Sequence, residues 1–552
     1  MANQSLFRKK NIAQVLASDT SGESHGLNKV LGVRDLTSLG IAAIIGAGIF
    51  STIGRASFEG GPAVSLLFVF TAIACVFTAL SYAQFASTVP VSGSAYTYAY
   101  VSFGELFAWI IGWALILEYA VSNMVVAISW SEYFVSMLAG FGIHFPDWLT
   151  IDPGTAAKAY ADVQAGTPDL SSGTIAAAKA YELAPQLAGF HFLCDLPACI
   201  ITILVTALVY IGIKESRTAS NIMVIIKLAV IGIVIAVGAF YVKPENWSPF
   251  APNGMKGVLG SVASVFFAFI GFDSISTTAE ECKNPQRDLP KAMMYCLIIC
   301  TILYVLITLV LTGMVSYKEL NVDDPLAFVF QKVNVDFVAG IISVSAVVAI
   351  TSALLVYQLG QPRIWMTMSR DGLLWKKFSE IHPKYQTPSF ATIITGLVVA
   401  IPALFFDMGF FVDLTSVGTF FAFILVCGGI LYLDHQGLSK HSKFKVPFVN
   451  GKYIVGLAWA ALLGYALTAG NFSEAIGEKP LLAVFWLVWG GLSWGAFKYN
   501  FSLLPVMGIL TNLYLMTELG VSNWLIFVIW LVIGLVIYFN YGRKHSKLAT
   551  NQ

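Results

Sequence analysis

Residues 38–54 read SLGIAAIIGAGIFSTIG, and residues 264–281 read SVFFAFIGFDSISTTAEE. Each belongs to an apolar run of bilayer-spanning length. The first is interrupted by Gly46-Ala47-Gly48, the second by Gly271 with Asp273 just beyond it. Glycine weakens a helix, and in lipid every backbone group freed by a break needs a substitute partner. One such interruption reads equally well as close helix packing through small residues. Two of them carry more, because of where they fall in the order of the runs.

Apolar runs of spanning length occur at about 37–58, 62–84, 104–138, 196–213, 219–240, 257–279, 291–315, 336–362, 390–406, 411–433, 453–469, 480–497, 501–517 and 522–541. That is fourteen spans, and the interruptions fall in spans 1 and 6, the first members of two successive sets of five. Broken helices at matching positions of two inverted repeats point to a transporter's binding site. The half-helix after Gly46–Gly48 presents free N–H groups and a positive dipole end, which suit a carboxylate. Carbonyls freed before the breaks suit an ammonium, so an α-amino acid fits both ends.

The expected fold class is an all-α polytopic membrane protein. It has a five-plus-five inverted-repeat core with broken helices 1 and 6, plus four additional helices. Along the chain this gives an N-terminal segment 1–33, a first repeat 34–240 that includes loop 140–195, and a second repeat 241–433. A loop 434–452, the last four spans 453–541 and a tail 542–552 follow. The composition agrees: 57% of residues are hydrophobic and 11% charged, with a mean hydropathy of +0.76, whereas soluble domains carry about 25% charged residues.

The loops set the orientation. With the N-terminus inside, 23 of the 32 Lys and Arg fall on the cytoplasmic side and eight outside. The positive-inside rule then places both termini in the cytoplasm and loop 140–195 outside. Within that loop, GTAAKAYADVQAGTPDLSSGTIAAAKAYELAPQ reads as one or two short surface helices. They would form a lid, a partner surface or a solvated elaboration. Membrane lipid is the surrounding partner. Compact loops suggest a bacterial inner membrane.

The remaining cation, Lys227, stands alone in the apolar stretch NIMVIIKLAVIGIVIAVGAF, residues 221–240. An ammonium at the bilayer centre costs at least ~2.5–3.5 kcal/mol, so such a residue either has a task or reaches out of the membrane. Snorkelling is geometrically open to it, because the charged loop at Lys214–Arg217 is about two helical turns away.

Other classes find no support. A net charge of +1 gives no case for nucleic acid. No GxxxxGK[ST] occurs, so no nucleotide partner is expected. None of the seven cysteines forms a CxxC pair, and most lie in apolar runs as small hydrophobes. Cys194 and Cys199 are near enough in sequence to pair. No metal or other cofactor is expected, and no cluster of His, Cys or acids converges as in an enzyme. The first ~30 residues are polar and lack an apolar h-region, so no cleavable signal peptide is expected.

Several stretches together resemble one family: IIGAGIF, PVSGSAYTY, LEYAV, GIKES, FFAFIGFDSIST followed by EECKNPQRDLPKA, GQPRIWMTMSRDGLL, FKVPFV and NLYLM. The chain is similar, from Gly32 onward, to the amino acid–polyamine–organocation superfamily. Within it, the similarity is to the cationic amino acid transporter branch and its bacterial proton-coupled members.

The resemblance implies that the N–H groups of Gly46, Ala47 and Gly48 hold the substrate carboxylate. The carbonyls of Ile44, Phe267 and Ile270 would hold its ammonium. It implies that Lys227 senses or relays a proton and braces helix 1 against helix 5. A second coupling role falls to Glu118 in LEYAV, where the plainer reading is a structural, hydrogen-bonded acid. Asp273 reads as a cap for the second half of helix 6. Phe267 and Phe272 are candidate gates, although aromatic residues in apolar helices usually just pack.

Ile350 aligns with the helix 8 position that faces the substrate side chain, and its bulk favours small neutral amino acids over arginine. The expected function is proton-coupled symport of such amino acids by alternating access. The alternatives are a proton-independent exchanger, a permease for arginine or lysine, and a sensor that binds amino acids without moving them.

Overall fold

Why the chain breaks where it does is visible in a computed structural model, which describes residues 6–10, 31–89, 94–167, 172–187, 190–212, 217–438, 442–468 and 472–550. Most of segment 1–33 therefore lies outside the described residues, as do residues 90–93 of PVSGSAYTY and 213–216 of GIKES. Among the described residues the elements are helices, apart from a two-stranded hairpin at Gln186–Leu187 and Phe190–His191.

Helix α1 (Val33–Ile44) ends at the first break. The chain resumes as a π-turn (Gly48–Thr52) and α2 (Ile53–Gly60). Then come α3 (Val64–Thr88), α4 (Glu105–Gly140), α5 (Leu196–Ile211) and α6 (Arg217–Gly238). The sixth span is α7 (Gly254–Gly260) and α8 (Val262–Phe267), an irregular stretch, and a 3-10 segment (Phe272–Glu281). Helices α9 (Pro285–Met314), α10 (Asp336–Arg370), α11 (Ser389–Ala403) and α12 (Met408–His435) follow. The last are α13 (Ile454–Thr468), α14 (Leu481–Tyr499), α15 (Leu503–Thr517) and α16 (Val521–Ile537).

Among the described residues, eight helices are long and apolar enough to cross a membrane, or ten if each bent pair counts as one span. The shorter apolar helices α5, α11 and α15 have 10–17 residues. The protein is thus an all-α multi-pass membrane protein.

Local chemistry sets several ends. Asp195 caps α5 by accepting the Ala198 N–H at 3.1 Å, and Asp407 caps α12 through the Phe410 N–H at 3.0 Å. Helix α3 packs along α9 and α9 along α1, while α4 packs along α10 and α5 along α11; α12 lies against α4 and α15. Three indoles join α16 to α4: Trp109 donates to the Gly534 carbonyl at 2.9 Å, and Trp113 and Trp530 each donate to the other's carbonyl at 2.8 and 2.9 Å.

The two termini meet on one face. The N–H groups of Glu105 and Leu106 open α4 and donate to the carbonyls of Arg8 and Leu6. The fully buried Glu105 carboxylate accepts from Arg8 (3.4 Å), Tyr100 (3.0 Å), Tyr538 (3.0 Å) and Ser546 (2.5 Å). Next to it, Asp371 at the end of α10 accepts from Lys10 at 2.7 Å and Tyr96 at 2.6 Å.

On the opposite face, the expected surface helices of loop 140–195 are present as Pro153–Gln164 and Ser172–Leu183, packed on each other. The insertion is tied down by the Asp195 N–H donating to the Leu404 carbonyl. Cys194 and Cys199 are free thiols.

Candidate functional site

The two breaks lie against each other. A Cβ on Gly48 would come within 2.5 Å of the Ala268 Cα, so only glycine permits this approach. Gly271 has φ +110° and faces the Ala43 backbone, where a Cβ would sit 3.1 Å from the Ala43 carbonyl. Contact of 48 with 268 and of 43 with 271 means that the two broken helices run antiparallel. Gly48→Ala is therefore expected to push the breaks apart. It should cost about 1–3 kcal/mol from overpacking and sharply reduce substrate affinity, read by thermal melting and by binding titration in detergent. A variant with wild-type melting and affinity would show that the close approach is dispensable.

Side chains from three other spans serve the carbonyls that the first break frees. Lys227, 0% exposed, donates from Nζ to the carbonyls of Ala42 and Ile45, each at 3.0 Å. It does not snorkel, because its ammonium is used inside the protein. Tyr304 of α9 places its hydroxyl 2.8 Å from the Ala268 carbonyl and 3.2 Å from the Ile44 carbonyl, touching both breaks at once. Tyr133 of α4 donates to the Phe50 carbonyl at 2.7 Å. Within the break itself, Thr52 donates to the carbonyls of Gly48 (2.7 Å) and Ser264 (3.2 Å).

The N–H groups behave differently. Among the described residues, those of Gly46 and Ala47 donate to no backbone or side-chain acceptor. Two adjacent unused donors at the start of a resumed helix make an anion cradle. The carbonyls expected to take an ammonium are partly engaged: Ile44 by Tyr304, and Phe267 by the Ile270 N–H at 3.1 Å. A carbonyl oxygen has a second lone pair, so each can still accept.

Ile350 is fully buried on α10, three residues before Ala353, whose methyl would lie 3.2 Å from a Cβ on Gly46. Phe267 and Ile270 are buried at the second break. Phe272 is also buried, edge-on to Tyr82 and against Phe423, which is packing rather than a gate position. Backbone N–H groups of Gly271, Asp273 and Ser274 lie around the Asp273 carboxyl. Asp273 is the second residue of the 3-10 segment, so it meets the amides at the start of that segment and not those further in that a capping side chain takes. Glu118, 3% exposed, lies within electrostatic reach of Asp273 and close to Thr419. Reasoning from sequence alone did not find Tyr304 or Tyr133. Tyrosines in apolar runs read as packing, and no local pattern marks where their hydroxyls go.

Paired broken helices with unused amide donors are the arrangement that membrane transport proteins use to bind substrate. The pattern of the family described as "Amino acid permease" matches residues 31–492, and that of "C-terminus of AA_permease" matches residues 502–546. The chain belongs to the amino acid permease family. It is 41% identical to the branched-chain amino acid permease BcaP of Bacillus subtilis (strain 168), over 99% of both chains. It is 38% identical to the methylthioribose transporter of the same organism, again over 99% of both. With cationic amino acid transporter 2, vacuolar, of Arabidopsis thaliana it shares 32% identity, over 99% of this chain and 94% of that one.

Proposed function

We propose that this permease is a secondary active transporter that carries small neutral L-amino acids in symport with protons by alternating access. Its architecture in this reading is fourteen spans, of which the first ten form a five-plus-five inverted repeat. Both termini are cytoplasmic, in a bacterial inner membrane. The observation that carries the reading is the pair of unused N–H groups at Gly46 and Ala47 beside carbonyls with spare lone pairs. That arrangement accepts a carboxylate and an ammonium at fixed spacing and leaves the side chain to other walls. Gly46, Ala47 and Gly48 take the carboxylate; Ile44, Phe267 and Ile270 take the ammonium; Ile350 limits the side chain. Lys227 and Glu118 couple the proton.

The named substrates of relatives bear on the side chain only. BcaP favours branched-chain amino acids for this chain too, and the apolar Ile350 agrees with a neutral side chain. Arginine or lysine is the second reading, supported by the cationic transporter relatives. Exchange without protons is the alternative mechanism.

The test is uptake of labelled alanine and leucine into proteoliposomes with an inward, absent or reversed pH gradient, with arginine and methylthioribose as competitors. Accumulation of the neutral amino acids only with the inward gradient is expected. Uptake that ignores pH but requires internal amino acid would mean an exchanger. Arginine competing far better than leucine would overturn the neutral specificity.

A further inference from the structure

Helix α4 holds a second intramembrane acid besides Glu118. Glu132 is fourteen residues further on, about 21 Å along the axis and within about 40° of the same helix face. An ionisable side chain at such a depth has a function by default. Its neighbours on α4 hold the first break in place: the Ser129 hydroxyl is 2.5 Å from that of Ser51, and Tyr133 donates to the Phe50 carbonyl. The Ser51 hydroxyl also lies within hydrogen-bonding reach of the Glu132 carboxyl.

Among the described residues, no counter-charge pairs with Glu132. Its Oε2 is buried and has no hydrogen-bond partner among the described residues, and no described base forms an ion pair with it. The described charged groups that act on it most are acids: Asp323 and Asp324 from the segment before α10, and Asp195 at the start of α5. Burial pushes the Asp195 carboxyl up to about 8, against hydrogen bonds from Ser131 and the Ala198 N–H. Burial likewise pushes Asp324 up to about 7, opposed by the Ser136 hydroxyl. Acids thus stand between the face opposite the termini and Glu132, and Glu132 adjoins the residues that hold the break. A buried carboxylate without a counter-charge is costly in a medium of low dielectric.

We infer that Glu132 is the proton-binding residue on the external side, which loads the transported proton next to the first break before substrate is carried inward. The step is a proton transfer alone. A hydronium in external water gives its proton to the carboxylate, forming a neutral carboxyl, and that carboxyl returns the proton to water once the path opens on the other side. The inference rests on the proton-coupled reading above, and the experiment separates the two.

Glu132→Gln keeps the shape and polarity of the side chain but cannot release a proton. In proteoliposomes, the variant is expected to lose gradient-driven accumulation of labelled alanine or leucine and its dependence on external pH, while retaining counterflow exchange of the same amino acid. Wild-type protein driven by the gradient, with Glu132→Gln driven equally and showing the same pH profile, would overturn the inference alone. Wild-type uptake indifferent to the gradient would overturn the proton-coupled reading, and this one with it. If Glu132→Gln also lacks counterflow, Glu132→Asp decides: a shifted external-pH profile supports the assignment, and an unshifted one overturns it.

Discussion

Lys227→Met is expected to abolish gradient-driven uptake and to lower the melting temperature of the purified protein. Methionine nearly matches the lysine stem in length, so packing of α6 against α1 changes little. What is lost is the ammonium, and with it the donors to the Ala42 and Ile45 carbonyls, both at 3.0 Å. Each buried acceptor left without a partner costs about 1–3 kcal/mol, and donors that are charged lie at the upper end. Removing a desolvated cation returns part of that cost, so a net loss of about 2–4 kcal/mol is expected.

The functional effect exceeds the structural one. Lys227 bonds the last turn of α1, and in the proposed mechanism its charge is linked to the position of that half-helix. In the proposed mechanism this linkage is how a proton is coupled to substrate. Lys227→Met should therefore fail to accumulate substrate even where it stays folded and binds it. A folded variant that accumulates alanine or leucine as wild type does under an inward pH gradient would remove Lys227 from the coupling mechanism. A variant with unchanged melting would show that the two carbonyls find other donors.

Parts of this arrangement were legible in the sequence, for reasons that differ by residue. The breaks at Gly46–Gly48 and Gly271 were legible because glycine in the middle of a spanning run is a backbone signal, and backbone signals are local. Lys227 was half legible. Its cost in an apolar run is a property of sequence, but the choice between snorkelling and internal bonding depends on whether α1 offers carbonyls within reach, which only packing decides. Tyr304 was not legible at all, since it meets Ile44 and Ala268 only because α9 lies across both breaks. Glu132 stands eight residues before the end of α4, and no local pattern sets it apart. Its significance depends on Asp195, Asp323 and Asp324, which are brought to it from distant parts of the chain. The indole bonds between α4 and α16, separated by more than 400 residues, belong to the same class.

The largest purely structural effect is expected at Glu105. Its carboxylate is the single acceptor shared by four donors from four separate stretches: Arg8 near the N-terminus, Tyr100 before α4, Tyr538 at the end of α16, and Ser546 in the tail. Glu105→Ala leaves all four without that acceptor and removes the carboxylate that pairs with the Arg8 guanidinium, which is 6% exposed. Breaking a buried pair by removing one member costs about 3–5 kcal/mol, because the surviving charge stays desolvated. Fully exposed pairs give ~0–1 kcal/mol. Lys256 and Glu478, whose side chains are 83% and 56% exposed, therefore supply the control: Lys256→Ala should leave melting unchanged. Glu105→Gln keeps two hydrogen-bonding atoms but not the charge, and should fall between the two. Because both termini close on this one carboxylate, its loss should also free the tail. Glu105→Ala should expose the Arg543 and Lys544 peptide bonds to trypsin at temperatures where the wild-type tail resists cleavage. Equal melting and equal protection in Glu105→Ala would mean that the donors pair elsewhere and that the terminal face is held by Asp371, with Lys10 and Tyr96, instead.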